Sequence, residues 1–248
     1  MNKKSSALVA VVLATSFVAF SNPAHAVCNE TTVYGRIQTG YVFQDIGVMG
    51  TDEPVFQGGI TRSCESGWWF DLWNSTGLST KGDYGQADER DYADELDFTV
   101  GKNGKVETTL GAFKYEVFAS YYALADLNRW KDDVVEVHLD FARESFVGKG
   151  DYRLTIAPYV RITDLLSMGG SPDVVLVLSG LRATITVTER LSLKTDLGIG
   201  FDVKEGRDIR QSETGIYYNI SPNVSVNVGM KTAEGVNPVA LIGFSKTF

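Results

Sequence analysis

The stretch that decides the fold is PVALIGFSKTF, Pro238 to Phe248, at the end of the chain. It predicts a strand with Ile242, Phe244 and Phe248 on one face, because alternate residues of a strand point to the same side. Chain ends usually fray, so a soluble protein gains little from a large apolar residue at its terminus. A β-barrel does gain, because its last strand must pair with its first to remove the free edges of the sheet. The stretch therefore favours a closed barrel, with a soluble β-protein that ends in phenylalanine as the alternative.

Residues Met1 to Ala26 have the features of a secretory signal peptide. They contain a basic start at Lys3-Lys4, an apolar segment from Ala7 to Phe20 and a small-residue cleavage site at Ala24–Ala26. The apolar segment is too short for a spanning helix. We therefore expect cleavage to leave a mature chain from Val27 to Phe248, with an uncleaved signal anchor as the alternative.

The charge balance argues against a nucleic-acid partner. The full chain has 23 Lys+Arg and 31 Asp+Glu. The signal peptide contains two of the lysines and no acidic residue, so the mature chain has 21 basic and 31 acidic residues and a net charge of −10. Proteins that bind nucleic acids present basic surfaces instead.

Cys28 and Cys64 are the two cysteines of the chain. A lipoprotein cysteine directly follows a small residue at the cleavage site, whereas Val27 precedes Cys28, so we reject lipidation. Exported proteins meet an oxidising compartment in which a disulfide is permitted. Both cysteines fall at predicted periplasmic ends of strands. The sequence therefore leaves open a Cys28–Cys64 bridge and a pair of free thiols.

The mature chain contains a series of runs, each of about ten residues, in which apolar and polar side chains alternate. We count twelve runs, with longer connections after odd-numbered runs and shorter ones after even-numbered runs. This asymmetry is typical of a bacterial barrel with both termini in the periplasm and long loops outside the cell. The sequence predicts an all-β fold, a transmembrane antiparallel up-and-down β-barrel of about twelve strands. We expect it to form a single domain over residues 27–248. A soluble lipocalin-like barrel is the alternative, and it would have fewer strands and a charged outer face.

The runs also give four local expectations. Tyr41 shares the outward face of the first run with Ile37. Gly101–Gly104 is predicted to form a tight hairpin turn, because Asn-Gly tolerates positive φ. The apolar phase then changes, which predicts a β-bulge at Gly111–Phe113. Pro158 has no N–H for the ladder, so we expect a second bulge there.

Short motifs in the N-terminal third carry a family resemblance. They are GYVF at Gly40–Phe43, PVFQGG at Pro54–Gly59, GWWFDLWNS at Gly67–Ser75 and ELD at Glu95–Asp97. In these residues the chain resembles the TorF-type family of small porin-like outer-membrane proteins of Gram-negative bacteria. The match covers about Gly40 to Gly101. It implies an outer-membrane barrel of porin type, with no established substrate and no catalytic residues.

The C-terminal strand carries a second resemblance. It is similar to the assembly signal of Gram-negative outer-membrane proteins. This implies that the barrel-assembly machinery recognises the chain through Phe248.

The inward side chains of the predicted strands sort by charge. The acidic set is Glu95, Asp97, Glu136 and Asp140, and the basic set is Arg36, Arg153, Arg161, Arg182 and Lys194. We predict that both sets line a pore as opposite walls, whose field orients dipolar solutes and penalises apolar ones. A filled barrel, in which these charges pair with each other, is the alternative. About eight strands give a filled interior and about 16–18 an open channel, so twelve lies between the two.

Together these patterns predict a porin-type channel for passive diffusion of small polar or charged solutes across the outer membrane. Such a barrel would contact outer-membrane lipid and lipopolysaccharide. The alternatives are a non-conducting structural or adhesion barrel and an outer-membrane hydrolase. His138 is the one histidine of the mature chain and no Gly-x-Ser-x-Gly motif lies near it, so the sequence predicts no enzyme. Zinc sites need several histidine or cysteine ligands, so we predict no metal and no cofactor.

Overall fold

The computed structural model describes residues 27–43, 48–51, 53–78, 95–109, 111–124, 133–143, 145–147, 153–168 and 174–248. The predicted signal peptide lies outside the described residues. The strands are β1 (Glu30–Gln38), β2 (Tyr41–Phe43), β3 (Val48–Thr51), β4 (Val55–Ser63), β5 (Trp68–Gly77), β6 (Glu95–Thr108), β7 (Gly111–Leu124), β8 (Val134–Ala142), β9 (Ser145–Val147), β10 (Arg153–Ser167), β11 (Val174–Thr186), β12 (Leu191–Asp202), β13 (Asp208–Ser221), β14 (Val224–Ala233) and β15 (Val239–Thr247). In this part of the chain, no helix is long and apolar enough to cross a membrane.

Twelve of these strands form one closed antiparallel barrel. Their order around it is β1-β4-β5-β6-β7-β8-β10-β11-β12-β13-β14-β15, and β15 pairs with β1 along Thr32–Gln38. The N–H of Phe248 also donates to the carbonyl of Thr31 at 2.8 Å. The predicted all-β, up-and-down barrel of about twelve strands is therefore confirmed, and its C-terminal stretch closes it.

The two ends of the barrel differ in their connections. The end that carries both described chain ends, here called the termini end, has short turns at residues 64–67, 187–190 and 222–223. The opposite end, here called the loop end, has the connection at residues 39–54 between β1 and β4. Within this connection, β2 and β3 pair as a separate hairpin.

The hairpin between β6 and β7 turns later in the chain than predicted. Gly101–Gly104 lies inside β6 and pairs with β7. The chain turns after Thr108, and Gly111 follows with a φ of 109°, which glycine adopts without strain. The ladder from there to Glu95 has no register shift. The predicted turn at Gly101–Gly104 and the predicted bulge at Gly111–Phe113 are both wrong. The apolar phase changes because the chain turns there from β6 into β7.

Pro158 lies inside β10 without the predicted bulge. The ladder with β11 is regular along Arg153–Leu165. On the other side, β8 ends at Ala142 and β9 begins at Ser145. The carbonyl of Pro158 accepts from the N–H of Arg143 at 3.1 Å, so the proline nitrogen faces this gap. The neighbouring strand is interrupted where the donor is missing, and β10 keeps its register.

Large apolar side chains cover the outer face of the barrel. Ile199, for example, is 61% exposed. Further exposed members are Ile37, Phe56, Phe70, Leu72, Phe98, Val160, Leu197, Ile216, Val228, Ile242 and Phe244. Tyr41 was predicted to share this face, but it is 8% exposed, because β1 ends at Gln38 and Tyr41 belongs to the β2–β3 hairpin.

Cys28 and Cys64 are joined by a disulfide at the termini end. Cys28 precedes β1 and Cys64 follows β4, and these two strands pair with Glu30 opposite Ser63. The disulfide therefore links the start of β1 to the end of β4 at the termini end of the barrel.

Candidate functional site

The candidate site is the barrel lumen, where polar and charged side chains face one another. Glu95 and Asp97 on β6, and Glu136 and Asp140 on β8, are all buried there. Their sequence neighbours, such as Phe98 and Phe141, are exposed on the outer face. Strand alternation therefore places the four predicted acidic side chains inside the barrel.

Asp140 is the centre of an ion-pair network. It accepts two hydrogen bonds from Arg182, Nη1 to Oδ1 at 3.1 Å and Nη2 to Oδ2 at 2.6 Å. Arg161 donates from Nε to the same Oδ2 at 3.2 Å. Arg182 also donates from Nε to Asp196 Oδ2 at 3.2 Å. A bidentate arginine–carboxylate pair of this kind has a fixed geometry and is stronger than a single hydrogen bond.

The ring of Tyr159 packs against the guanidinium groups of both arginines in this network. Its ring lies 4.3 Å from the guanidinium of Arg182 and 5.4 Å from that of Arg161, and its hydroxyl donates to Asp196 at 2.8 Å. Gly180 makes room for the ring, since a Cβ there would lie 2.5 Å from the Tyr159 ring and hydroxyl. The sequence contained a signal for Tyr159, because it alternates with Arg161 on the same strand.

The other predicted basic residues take separate positions. Arg36 donates from Nε to Gln57 at 2.9 Å, and Lys194 lies 4.3 Å over the ring of Tyr217. Arg153 is exposed at the termini end of β10.

Arg161 and Arg182 do not lie on a wall opposite Asp140. β8, β10 and β11 are neighbours in the sheet, and this adjacency brings Arg161 and Arg182 into direct contact with Asp140. The predicted arrangement of two facing walls therefore does not hold for these three residues. The assignment of both charged sets to the lining of a pore stays a prediction.

The β2–β3 hairpin reaches the acidic side of the lumen. The Tyr41 hydroxyl donates to Glu95 Oε2 at 2.5 Å, and the Tyr41 ring lies 6.1 Å from that of Trp73 on β5. Tyr41 also packs against the fully buried Val55 on β4. β1 and β6 are three strand spacings apart, about 14 Å. The hairpin therefore crosses the inner face of β4 and β5 at the loop end.

A second apolar cluster faces inward on the other side of the loop end. Leu176 and Leu178 on β11 are fully buried and pack with Ile209 on β13 and with Val174. The inward phase of Arg182 and Thr184 on β11 extends to these two leucines, although the run from Val174 to Leu178 is itself continuously apolar and shows no alternation. Together with Tyr41, these side chains narrow the loop-end half of the lumen.

The termini-end half of the lumen is lined by polar and charged side chains. It contains a cavity of about 540 Å³ beside Asp140 and Arg182, and an adjoining one of about 280 Å³ that shares Arg182. The polar lining residues are Asn103, Lys105, Lys114, Glu116, Thr155, Thr184, Lys194, Asp196, Glu213 and Tyr217. We call these two cavities the vestibule.

His138 lies inside the barrel on β8, beside two polar side chains. Glu136 Oε1 and the Thr163 hydroxyl both lie 3.2 Å from the same ring atom, Nδ1. The ring is stacked on Phe118 at 4.2 Å, and Thr163 is fully buried. Within the described ranges, no group of three or more His, Cys, Asp or Glu side chains is placed to hold a metal ion.

The fold of the barrel is similar to that of solved porins. The KdgM porin shares 9% sequence identity, with a TM-score of 0.54 over 89% of this chain and 99% of that one. The KdgM porin in complex with disordered oligogalacturonate gives 10% identity and the same TM-score. The NanC porin shares 8% identity, with a TM-score of 0.50 over 87% of this chain and 98% of that one. At these identities the likeness shows the fold alone. No family model and no curated protein sequence matches the chain, so the TorF-type resemblance stays a prediction.

Proposed function

We propose that this chain is an outer-membrane channel of porin type, through which small polar or charged solutes diffuse passively. The observation that carries the proposal is the contrast between the two faces of the barrel. The outside is covered by exposed Ile, Leu, Phe and Val side chains, and the inside carries charges around the vestibule. A membrane barrel needs this arrangement, because its outer face meets hydrocarbon and its lumen meets water.

The proposed location is the outer membrane of a Gram-negative bacterium. The outward apolar rows would contact the lipid and lipopolysaccharide of that membrane. Phe248 would be the contact for the barrel-assembly machinery, and it is 63% exposed next to the seam between β15 and β1. The similarity of the fold to two solved porins supports the same proposal.

The test is a planar-bilayer recording of the purified and refolded protein. We expect discrete conductance steps whose amplitude depends on the salt concentration. Heat-unfolded protein in the same detergent is the control. If the folded barrel inserts but shows no steps across a range of voltages, the channel proposal fails.

A non-conducting structural or adhesion barrel is the second candidate. The ion pairs of Asp140 with Arg161 and Arg182 favour it, because paired charges fill a lumen instead of facing water. The same recording separates the two candidates, since a filled barrel inserts silently.

A further inference from the structure

The arginines near the middle of the lumen are neutralised by their own partners. Arg182 contacts both Asp140 and Asp196, and Arg161 contacts Asp140. Lys231 lies 3.3 Å from Glu213, in a similar pair on β14 and β13. These cations therefore already have carboxylate partners on strands other than β6.

Glu95 and Asp97 have no cationic partner among the described residues. The hydrogen bond from Tyr41 reaches Glu95, and a hydroxyl adds no positive charge. The charged groups that interact most strongly with Asp97 are Glu95, Glu136 and Asp71, all acidic. Asp97 also shares a side-chain hydrogen bond with Glu95, which requires one proton between the two carboxyls, so the pair carries a single negative charge. Arg36, the inward arginine of β1, is directed to Gln57 instead.

Asp97 carries an unused acceptor. It is 8% exposed, and its Oδ1 has no hydrogen-bond partner. Burying a polar oxygen without a hydrogen-bond donor is costly. An orphan of this kind is accounted for when a water or an ion occupies the adjoining space.

The β2–β3 hairpin lies inside the lumen next to the acidic side chains of β6. Because Tyr41 lies across β4 and β5 and contacts Glu95, it occupies space that an empty barrel would leave open. Leu176 and Ile209 fill part of the opposite side. These side chains therefore occupy the lumen on two sides of the loop-end half.

We infer that the wall formed by Glu95, Asp97 and Glu136 is a selectivity site for small cations. This inference rests on the proposed channel function and names the charge class of its solutes. Rings of acidic side chains at a constriction favour cations, since a permeating cation recovers there the charge stabilisation it loses with its hydration shell.

The experiment measures the reversal potential of the full mature chain in a planar bilayer under a KCl gradient. We expect the wild-type channel to prefer K⁺ over Cl⁻. Glu95→Gln and Asp97→Asn together remove the negative charge that the two β6 carboxyls share, which should lower the permeability ratio about tenfold, the change expected when an uncompensated charge at close range is lost.

Glu189→Gln is the matched control. Glu189 is an exposed glutamate in the 187–190 turn, away from the lumen, and its neutralisation should leave the ratio unchanged. A second variant, Glu136→Gln, should shift the ratio in the same direction and does not depend on the folding of the double variant.

The outcomes separate the two proposals. If the wild-type barrel does not conduct, the channel function itself is refuted, and this inference with it. If it conducts with no preference or with a preference for Cl⁻, the channel stands and the cation site is refuted. An unchanged ratio in both the double variant and Glu136→Gln also refutes the site.

Discussion

Asp140→Asn should be one of the most destabilising conservative substitutions in the lumen. Asparagine keeps the size of the side chain, but it removes the charge that faces Arg161 and Arg182. Three hydrogen bonds, at 3.2, 3.1 and 2.6 Å, end on this carboxylate. At least one of them must be lost, because the amide nitrogen of asparagine is a donor and cannot accept from a guanidinium.

The size of the stability loss depends on how exposed the two arginine side chains are. Removing one partner of a buried ion pair costs about 3–5 kcal/mol. The Arg161 side chain is 14% exposed, but that of Arg182 is 35% exposed and keeps its contact with Asp196. Glu116 on β7 interacts with both arginines and compensates part of the loss. We therefore expect the free energy of unfolding to fall by about 2–3 kcal/mol.

Urea unfolding of the barrel in lipid vesicles, followed by tryptophan fluorescence, measures this change. The Arg182→Gln single variant and the double variant complete a cycle. Because the two side chains touch, the double variant should lose about 1–2 kcal/mol less than the sum of the single changes. A free energy of unfolding for Asp140→Asn within about 0.5 kcal/mol of wild type would refute the reasoning.

Other substitutions test other parts of the structure. Gly180→Ala should destabilise the barrel by about 1–3 kcal/mol in the same unfolding assay, because its Cβ would meet the backbone carbonyl of Leu197 and the Tyr159 ring, the latter at 2.5 Å, and an unchanged stability would contradict these close approaches. Tyr41→Phe removes the hydroxyl that holds the hairpin to Glu95, so single-channel conductance should rise, and an unchanged conductance would show that the hairpin does not narrow the path. Deletion of Phe248 removes backbone hydrogen bonds at the barrel seam, so the fraction of heat-modifiable folded barrel recovered from cells should fall, and full recovery would contradict a role in assembly.

The alternation of the strands made much of this fold predictable from the sequence. Along β8, apolar and polar residues alternate strictly from Val135 to Phe141. This two-residue repeat alone predicts that Glu136, His138 and Asp140 point inward. The closure of the barrel followed from the apolar C-terminal strand, because a barrel leaves no free edge.

The local errors have physical causes. Gly101–Gly104 has the residues of a turn, but pairing with β7 continues through them, since tertiary pairing overrides a local preference. Pro158 was expected to disturb its own strand, whereas the neighbouring strand is interrupted instead.

The contacts of the candidate site could not be predicted from the pattern. Alternation places Arg161 and Arg182 inside, but only the register across β8, β10 and β11 brings both to Asp140. Tyr41 was assigned to the wrong face for a similar reason. The end of β1 and the fold of the hairpin depend on contacts with Glu95 and Trp73, which are distant in sequence.

Spin-label accessibility along β12, in refolded protein in lipid vesicles, tests the central claim most directly. Labels at Leu193, Leu197 and Ile199 should be accessible to oxygen, which concentrates in lipid. Labels at Lys194 and Asp196 should be accessible to a water-soluble nickel chelate. A profile without this alternation, or with the two reagents exchanged, would contradict a barrel whose apolar face meets lipid and whose charged face encloses water.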